Sequence, residues 1–376
     1  LIQKKISILN MSTKKFIYKE ERGEIKMKNT VAVLETPGKM VIKDTVVPEP
    51  TEHEVLIKVG SVGMCGSDIH GFQFGPYIPP KDPNQIIGLG HEVAGVVVKI
   101  GDHVTKFKVG DRVCLEPGVP DYTCEFCKEG HYNVCPDVDF LATQPNYKGA
   151  LTNYMTHPED MTYHLPDNMT IAEGSLVEPA AVGVHAAEEA GDLLGKTVVI
   201  LGSGAIGLMT LQATKLKGAG TIVVIDVLAN RLEVAKKLGA HYTFDGREDN
   251  LVDKVKAVVG PYGADAVFET AGALPTAKLG LELVKRRGKF LIVGTIPEPV
   301  PVDFLKINRE VTIQTVFRYA NDYARTINKI ASGEFTVLGV ADKYFPYADT
   351  QKAFDFAVNN KSELIKGVIT VSDDVK

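Results

Sequence analysis

The sequence predicts an α/β protein in two parts, a β-rich module rolled into a small barrel and a doubly wound parallel sheet flanked by helices. Three observations predict it. From Thr30 to about Ile100, short β-branched runs are broken by Gly and Pro. From Thr197 onward, strands and helices alternate. At that change, Gly202-Ser203-Gly204-Ala205-Ile206-Gly207 separates an apolar strand from an apolar helix. Alternation at this spacing specifies parallel strands with helical crossovers, and 376 residues exceed what one core usually supports.

In chain order, TVAVLET, KMVIKD, EVLIKVGSVG and HEVAGVVVKIG read as strands, because apolar residues alternate or run briefly and β-branched types dominate. DHVTKFKVGDRVCLEPG continues the pattern. A cysteine-rich loop over 121–135 follows, then a mixed stretch to Glu178. TVVIL and TIVVID are buried strands, each leading into a helix, and HYTFD, DAVFETAG and KFLIVGT supply further strands. ALPTAKLGLELVKRRG and NDYARTINKIASGE read as helical, and KGVITVS closes the chain as a strand. The expected organisation is a first domain over 27–182, the parallel sheet over 183–318, and a tail over 319–376 returning to the first domain. Residues 1–26 precede the recognisable pattern and read as an unstructured extension.

Composition is that of an ordinary globular protein, 44% hydrophobic and 24% charged. The net charge of −5 is uneven: residues 1–28 hold eight Lys/Arg against three Glu, leaving the remainder ten charges negative. An acidic body without a Lys/Arg block argues against a nucleic-acid partner. No apolar run reaches the ~18 residues of a membrane helix, and the opening segment has no small-residue cleavage site of a signal peptide. Five cysteines in so long a chain do not make a disulfide scaffold, so the expected compartment is a reducing cytoplasm.

The glycine string has the context that a dinucleotide site requires. Gly202 allows the sharp turn, Gly204 lets a pyrophosphate approach the backbone, and Gly207 packs helix on strand. Free N–H groups and the dipole at the helix start attract the anion. Asp226 ends the next strand, 19 residues after Gly207. A carboxylate there accepts from ribose hydroxyls and repels a 2′-phosphate, favouring NAD over NADP. Arg231, close behind it, is the residue able to tolerate that phosphate.

Two clusters carry metal-ligand chemistry. Cys65, His91 and Glu92, with Glu178 further on, offer thiolate, imidazole and carboxylate, and three protein ligands with an open fourth position form a catalytic zinc site. Sequence separation alone leaves Cys65 equally readable as a small buried hydrophobe and His91 as a turn histidine. Asp121-x2-Cys124-x2-Cys127-x7-Cys135 suits a closed structural zinc, with Asp121 a harder ligand than a fourth cysteine. His131, inside the loop, competes for the fourth position. Cys114 in RVCLEP reads as core, and His53, His103, His157, His164, His185 and His241 show no partner spacing.

Taken together, GMCGSDIHG, GLGHE, GDRVCLEPG, the cysteine loop, EPAAVGVHA, GSGAIG and VFRY resemble the zinc-containing medium-chain dehydrogenases, most of all sorbitol (L-iditol) and xylitol dehydrogenases. The resemblance runs from about Met27 to the end. It implies a GroES-like β-rich catalytic domain built from both chain ends around a Rossmann coenzyme domain. It carries the catalytic zinc to Cys65, His91 and Glu92, with Glu178 against the metal, and the proton relay to Ser67 and His70. It places Arg318 and Tyr319 on substrate hydroxyls and Phe140 and Thr143 in the pocket wall. Cofactor contacts fall to Ile206, Asp226, Arg231, Val293, Gly294, Thr295 and Phe317. One departure is Gly71, followed by Phe72, where polyol enzymes often carry an aromatic residue.

The implied reaction is NAD-linked oxidation of a polyol secondary hydroxyl to a ketose, in a homodimer or homotetramer. The rivals are threonine, butanediol or sugar-phosphate dehydrogenases of the same family, and a non-catalytic NAD-binding protein. The scarcity of Lys and Arg around residues 65–80 weighs against a phosphorylated substrate.

Overall fold

A computed structural model of the chain describes residues 27–375, so the extension expected over 1–26 lies outside the described residues. Thr197–Leu201, a continuous apolar run, is the strand from which the parallel sheet grows. It pairs with Thr221–Asp226 on one side and Ala264–Glu269 on the other. Tyr242–Asp245 extends the first side, and Val284–Ile292 and Thr312–Thr315 extend the second, giving six parallel strands. Because the chain winds outward both ways from its central strand, a crevice opens beyond the carboxyl ends of Leu201 and Glu269, where such sheets bind ligands. Val198, Val199, Ile200 and Leu201 are fully buried, as strands covered on both faces must be.

One expectation needs correction here. The sequence pattern places VKRRG at the end of a helix, but the helix is Leu274–Leu283 and the next residue already belongs to a strand. Val284 pairs with Ala264, and after a bulge Lys289 pairs with Ala266. Val284 is buried while Arg286 and Arg287 face solvent, a division that a bulged edge of the ladder accommodates without a further helical turn.

The second large sheet is mainly antiparallel. Its strands run in the order Thr162–His164, Arg112–Leu115, Glu92–Ile100, Glu54–Met64, Gly367–Thr370 and Lys343–Pro346, with Tyr154–Pro158 also on Glu54–Met64. The closing strand thus returns to the first part of the chain, with Gly367 opposite Met64 and Thr370 opposite Ser61. A three-stranded sheet of Lys39–Thr45, Asn29–Thr36 and Ile87–Gly88 lies beside it in sequence. Cys114 is fully buried in a core that also contains Ala94, Leu176 and Leu208.

The helix Val177–Glu189 packs on Ala205–Leu216, and Gly183 permits the close approach. A Cβ there would sit 2.6 Å from the Met209 carbonyl carbon and 2.7 Å from Thr210 N. This crossing fixes the start of the helix, where Glu178 sits. No helix among the described residues is long and apolar enough to cross a membrane.

His157, on the Tyr154–Pro158 strand, is 3% exposed, and its Nε2–H donates to the Glu116 carbonyl at 2.8 Å. Burial lowers its pKa to about 4. Between that value and the unfolded ~6.5, the unfolded chain binds a proton that the native state does not, so stability falls as pH drops from ~6.5 to ~4. The shift corresponds to roughly 3 kcal/mol. We expect the thermal midpoint of the wild type to fall several degrees further between pH 7 and pH 4 than that of His157→Gln; parallel pH profiles would contradict this origin.

Candidate active site

The register of the antiparallel sheet assembles the first donor cluster. Gly63 lies opposite Glu92 across the Glu54–Met64 and Glu92–Ile100 strands. Cys65 follows the first strand as N-cap of the helix Gly66–Phe74, and His91 precedes the second. One ligand atom each of Cys65, His91 and Glu92 lies within 4.8 Å of the others. A Cβ at position 63 would collide with Glu92 Oε2, so only glycine leaves that oxygen its place.

Glu92 is fully buried and its two oxygens differ. Oε1 is paired with Lys366 Nζ, itself 3% exposed, while Oε2 is buried with no partner among the described residues. Lys366 Nζ also donates to the Met64 carbonyl at 3.0 Å. Burial raises the Glu92 carboxyl above its ordinary range, with Lys366 opposing. Behind His91 stands Asp68, whose Oδ1 lies 3.5 Å from His91 Nδ1. Asp68 is fixed by Gly90 N–H at 2.8 Å and Cys65 N–H at 3.1 Å. A carboxylate facing the far nitrogen of a ligating imidazole orients the ring in metal sites. An orphaned carboxylate oxygen, a soft sulfur and an oriented imidazole make a donor set that fits zinc. The sequence reading named the three donors and missed Asp68, Lys366 and Gly63.

Phe140 packs against this cluster, its ring centroid 5.4 Å from that of His91. The Arg318 guanidinium lies over Phe140 at 3.7 Å and over Phe317 at 4.7 Å. Tyr319 is buried, and its hydroxyl donates to Glu178 Oε1 at 2.7 Å. Burial and the Glu178 charge hold that phenol well above its usual range, so it remains a donor. Thr143 sits at the edge of this wall with Oγ1 donating to Phe140 O at 3.2 Å. Ser67 and His70 share the Gly66–Phe74 helix, with no direct hydrogen bond between them among the described residues. Ser67 is exposed, and the His70 ring packs against Tyr77 in a tilted pair, with centroids 3.8 Å apart.

The cysteine loop forms a second cluster. Asp121, Cys124, Cys127 and Cys135 each place a ligand atom within 4.8 Å of the others, and His131 is not among them. Asp121 Oδ1 accepts from Thr123 N–H and Cys124 N–H, which shape the turn around it. These hydrogen bonds hold its carboxyl well below the usual carboxylate range. Glu52, His53 and His103 also converge, all three exposed. His185, without a partner in the sequence reading, has Nδ1 2.9 Å from the buried Asp322.

The dinucleotide candidates gather along the carboxyl edge of the parallel sheet. Gly202 adopts φ 96° beyond Leu201, and a Cβ on Gly207 would collide with the Gly202 carbonyl. Gly204 caps the helix Ala205–Leu216, and Ile206 lies in its first turn. Asp226 Oδ2 accepts from Ser203 N–H at 2.6 Å and Ser203 Oγ at 2.9 Å. Arg231 Nη2 donates to the Lys361 and Leu364 carbonyls at 3.0 and 2.8 Å. Val293, Gly294 and Thr295 follow the Val284–Ile292 strand, and Phe317 follows Thr312–Thr315, half exposed. Glu269, missed in the sequence, braces this edge by accepting from Ala271 and Gly272 N–H.

Comparison with known proteins decides the family. The alcohol dehydrogenase GroES-like domain model matches residues 51–167 and the zinc-binding dehydrogenase model matches 205–332. The chain is 40% identical to a sorbitol dehydrogenase of Bacillus subtilis over 90% of this chain and 96% of that one. The chain belongs to the zinc-containing medium-chain dehydrogenases. Within them it is related to sorbitol dehydrogenase, and zinc and a nicotinamide dinucleotide are its cofactors. It is also 58% identical to YdjJ, a zinc-type alcohol dehydrogenase-like protein of Escherichia coli K12, over 92% of this chain and all of that one. An E. coli oxidoreductase of unknown specificity superposes with TM-score 0.91 at 58% identity, covering 92% of this chain and 100% of that one. A 2R,3R-butanediol dehydrogenase of B. subtilis superposes with TM-score 0.83 at 25% identity, covering 92% and 100%. The expected GroES-like and Rossmann architecture is therefore correct.

The collision at position 63 gives a direct test of the donor set. Gly63→Ala should displace Glu92 and lower bound zinc by about one equivalent per chain. Metal analysis after equilibrium dialysis reads this, and full zinc content in a folded variant would contradict it.

Proposed function

We propose that this dehydrogenase oxidises a secondary hydroxyl of a small neutral polyol to the ketose, with NAD+ as hydride acceptor. The observation that carries the reading is the convergence of Cys65, His91 and Glu92 beside a wall made by Phe140, Arg318, Tyr319 and Glu178. Similarity to sorbitol dehydrogenase supports the substrate class. Lys366 is neutralised by Glu92, so it does not make a phosphate site, whereas the Arg318 guanidinium can donate to hydroxyl oxygens.

Zinc held by Cys65, His91 and Glu92 would supply a Lewis acid that lowers the pKa of the substrate hydroxyl. The chain's own residues do the remaining work. Arg318 and Tyr319 orient the polyol, with Tyr319 fixed on Glu178. Phe140 and Thr143 bound the pocket. Ser67 and His70 pass the hydroxyl proton toward solvent, His70 as an imidazole able to accept it. Gly202, Gly204, Ile206 and Gly207 cradle the pyrophosphate. Val293, Gly294, Thr295 and Phe317 position the nicotinamide end for hydride transfer, the cofactor supplying the redox chemistry. Asp226 takes the ribose hydroxyls and repels a 2′-phosphate, which favours NAD over NADP. Asp121, Cys124, Cys127 and Cys135 hold a structural zinc.

The test offers NAD+ with sorbitol, xylitol, galactitol, L-threonine, 2,3-butanediol, L-idonate and galactitol 1-phosphate, before and after chelation. A polyol should give the highest kcat/KM, abolished by chelation, and Cys65→Ala should lose at least ~1,000-fold. Threonine or the phosphorylated substrate winning outright, or a chelator-resistant polyol rate, would overturn the reading. Asp226→Ala should reduce the preference for NAD over NADP by at least ~10-fold.

A further inference from the structure

The cysteine loop and the segment carrying Arg318 and Tyr319 are nearly two hundred residues apart in sequence, yet three hydrogen bonds join them. Asn133 Nδ2 donates to the Phe317 carbonyl at 2.8 Å. The Asn321 N–H donates to Tyr132 Oη at 2.8 Å, and Asn321 Nδ2 donates to the Gly130 carbonyl at 3.0 Å. The bonds bracket the pair, one on the residue before Arg318 and two on the second residue after Tyr319.

The bracketed backbone is one that needs holding. Arg318 has φ 53° and Asn321 φ 63°, in the left-handed region that side chains other than glycine occupy at a cost. Such conformations persist where surrounding contacts over-determine them. The loop's end of the bracket is itself anchored. Tyr132 Oη donates to Glu116 Oε1 at 2.8 Å while accepting from Asn321, and Tyr163 Oη donates to the other Glu116 oxygen at 2.9 Å. Glu116 is 1% exposed. Within the loop, Tyr132 and Asn133 form the short 3-10 turn that leads directly into Cys135, one of the four donors.

We infer that Tyr132 and Asn133 are positioning residues for Arg318 and Tyr319, and that the metal-binding loop is a clamp whose occupancy is read out as substrate affinity. This rests on the polyol-oxidising role given above to Arg318 and Tyr319. With metal gripping Cys135, the Tyr132–Asn133 turn is fixed and the left-handed backbone at 318 and 321 is held. Without it, the turn loosens, the backbone relaxes toward negative φ, and the guanidinium leaves its place over Phe140. The chemistry at Cys65, His91 and Glu92 is on other elements and is spared.

The experiment uses full-length, zinc-loaded protein whose metal content has been measured, with the best substrate from the panel above. Asn133→Ala and Tyr132→Phe should each retain both zinc equivalents. Each should raise the substrate KM about 5- to 20-fold, with kcat within about threefold and the KM for NAD+ unchanged. Amide hydrogen exchange over 316–322 should accelerate at least about tenfold in both. Cys127→Ser, which removes a loop donor, should lose one zinc equivalent and reproduce both effects. Lys128→Ala, an exposed loop residue outside the bracket, should change neither.

Unchanged exchange over 316–322 in both Asn133→Ala and Tyr132→Phe would overturn the clamp. Faster exchange with an unchanged substrate KM would overturn its role in substrate affinity. A Cys127→Ser protein that loses zinc but keeps wild-type exchange and KM would overturn the link to the metal. Wild-type protein that oxidises no polyol would sink the proposed function instead, and the exchange measurement would still decide the clamp.

Discussion

The buried pairing of Glu92 with Lys366 is the constraint on which the architecture turns. A carboxylate taken wholly out of water is costly unless its charge is matched. One oxygen of Glu92 is matched by a lysine immediately before the closing strand, and the other is left without a hydrogen-bond partner among the described residues, in the acid that clusters with Cys65 and His91. The lysine reaches this position only because Gly367–Thr370 returns to pair with Glu54–Met64. Chain closure and the donor cluster are therefore linked: the tail brings the cation that makes a buried acid tolerable, and leaves the acid an oxygen without a partner among the described residues.

Much of this was legible in the sequence because its signals are local. The strand, glycine turn and helix over 197–216, and Asp226 at the end of the next strand, follow from a short stretch of chain and a periodic pattern. The loop donors are confined to fifteen residues, and the structure brings them together and leaves His131 out. Cys65, His91 and Glu92 were named by family motif and by ligand chemistry; spacing alone left them open.

What was not legible depends on partners remote in sequence. Lys366 lies 274 residues from Glu92, and nothing in KGVITVS marks its lysine as buried. Asp68 looks like an ordinary acidic residue in a helix's first turn until the sheet brings His91 against it. Gly63 is one of many glycines in a strand-rich region, and its necessity is visible only opposite Glu92. The misread VKRRG run has another cause: its basic residues suit an exposed helix end as well as an exposed strand, and the pairing of Val284 with Ala264 is what selects the strand.

Asp226 has a consequence for how the coenzyme enters. In the protein alone its carboxylate is already engaged, accepting from the Ser203 amide and hydroxyl on one oxygen and from Leu228 N–H on the other. In the proposed binding mode, adenosine arriving at that edge would meet an acceptor with existing partners, so its sugar would exchange hydrogen bonds instead of adding new ones. Recognition there would then contribute selectivity more than grip, and the turn is shaped without the coenzyme by a latch made of its own serine.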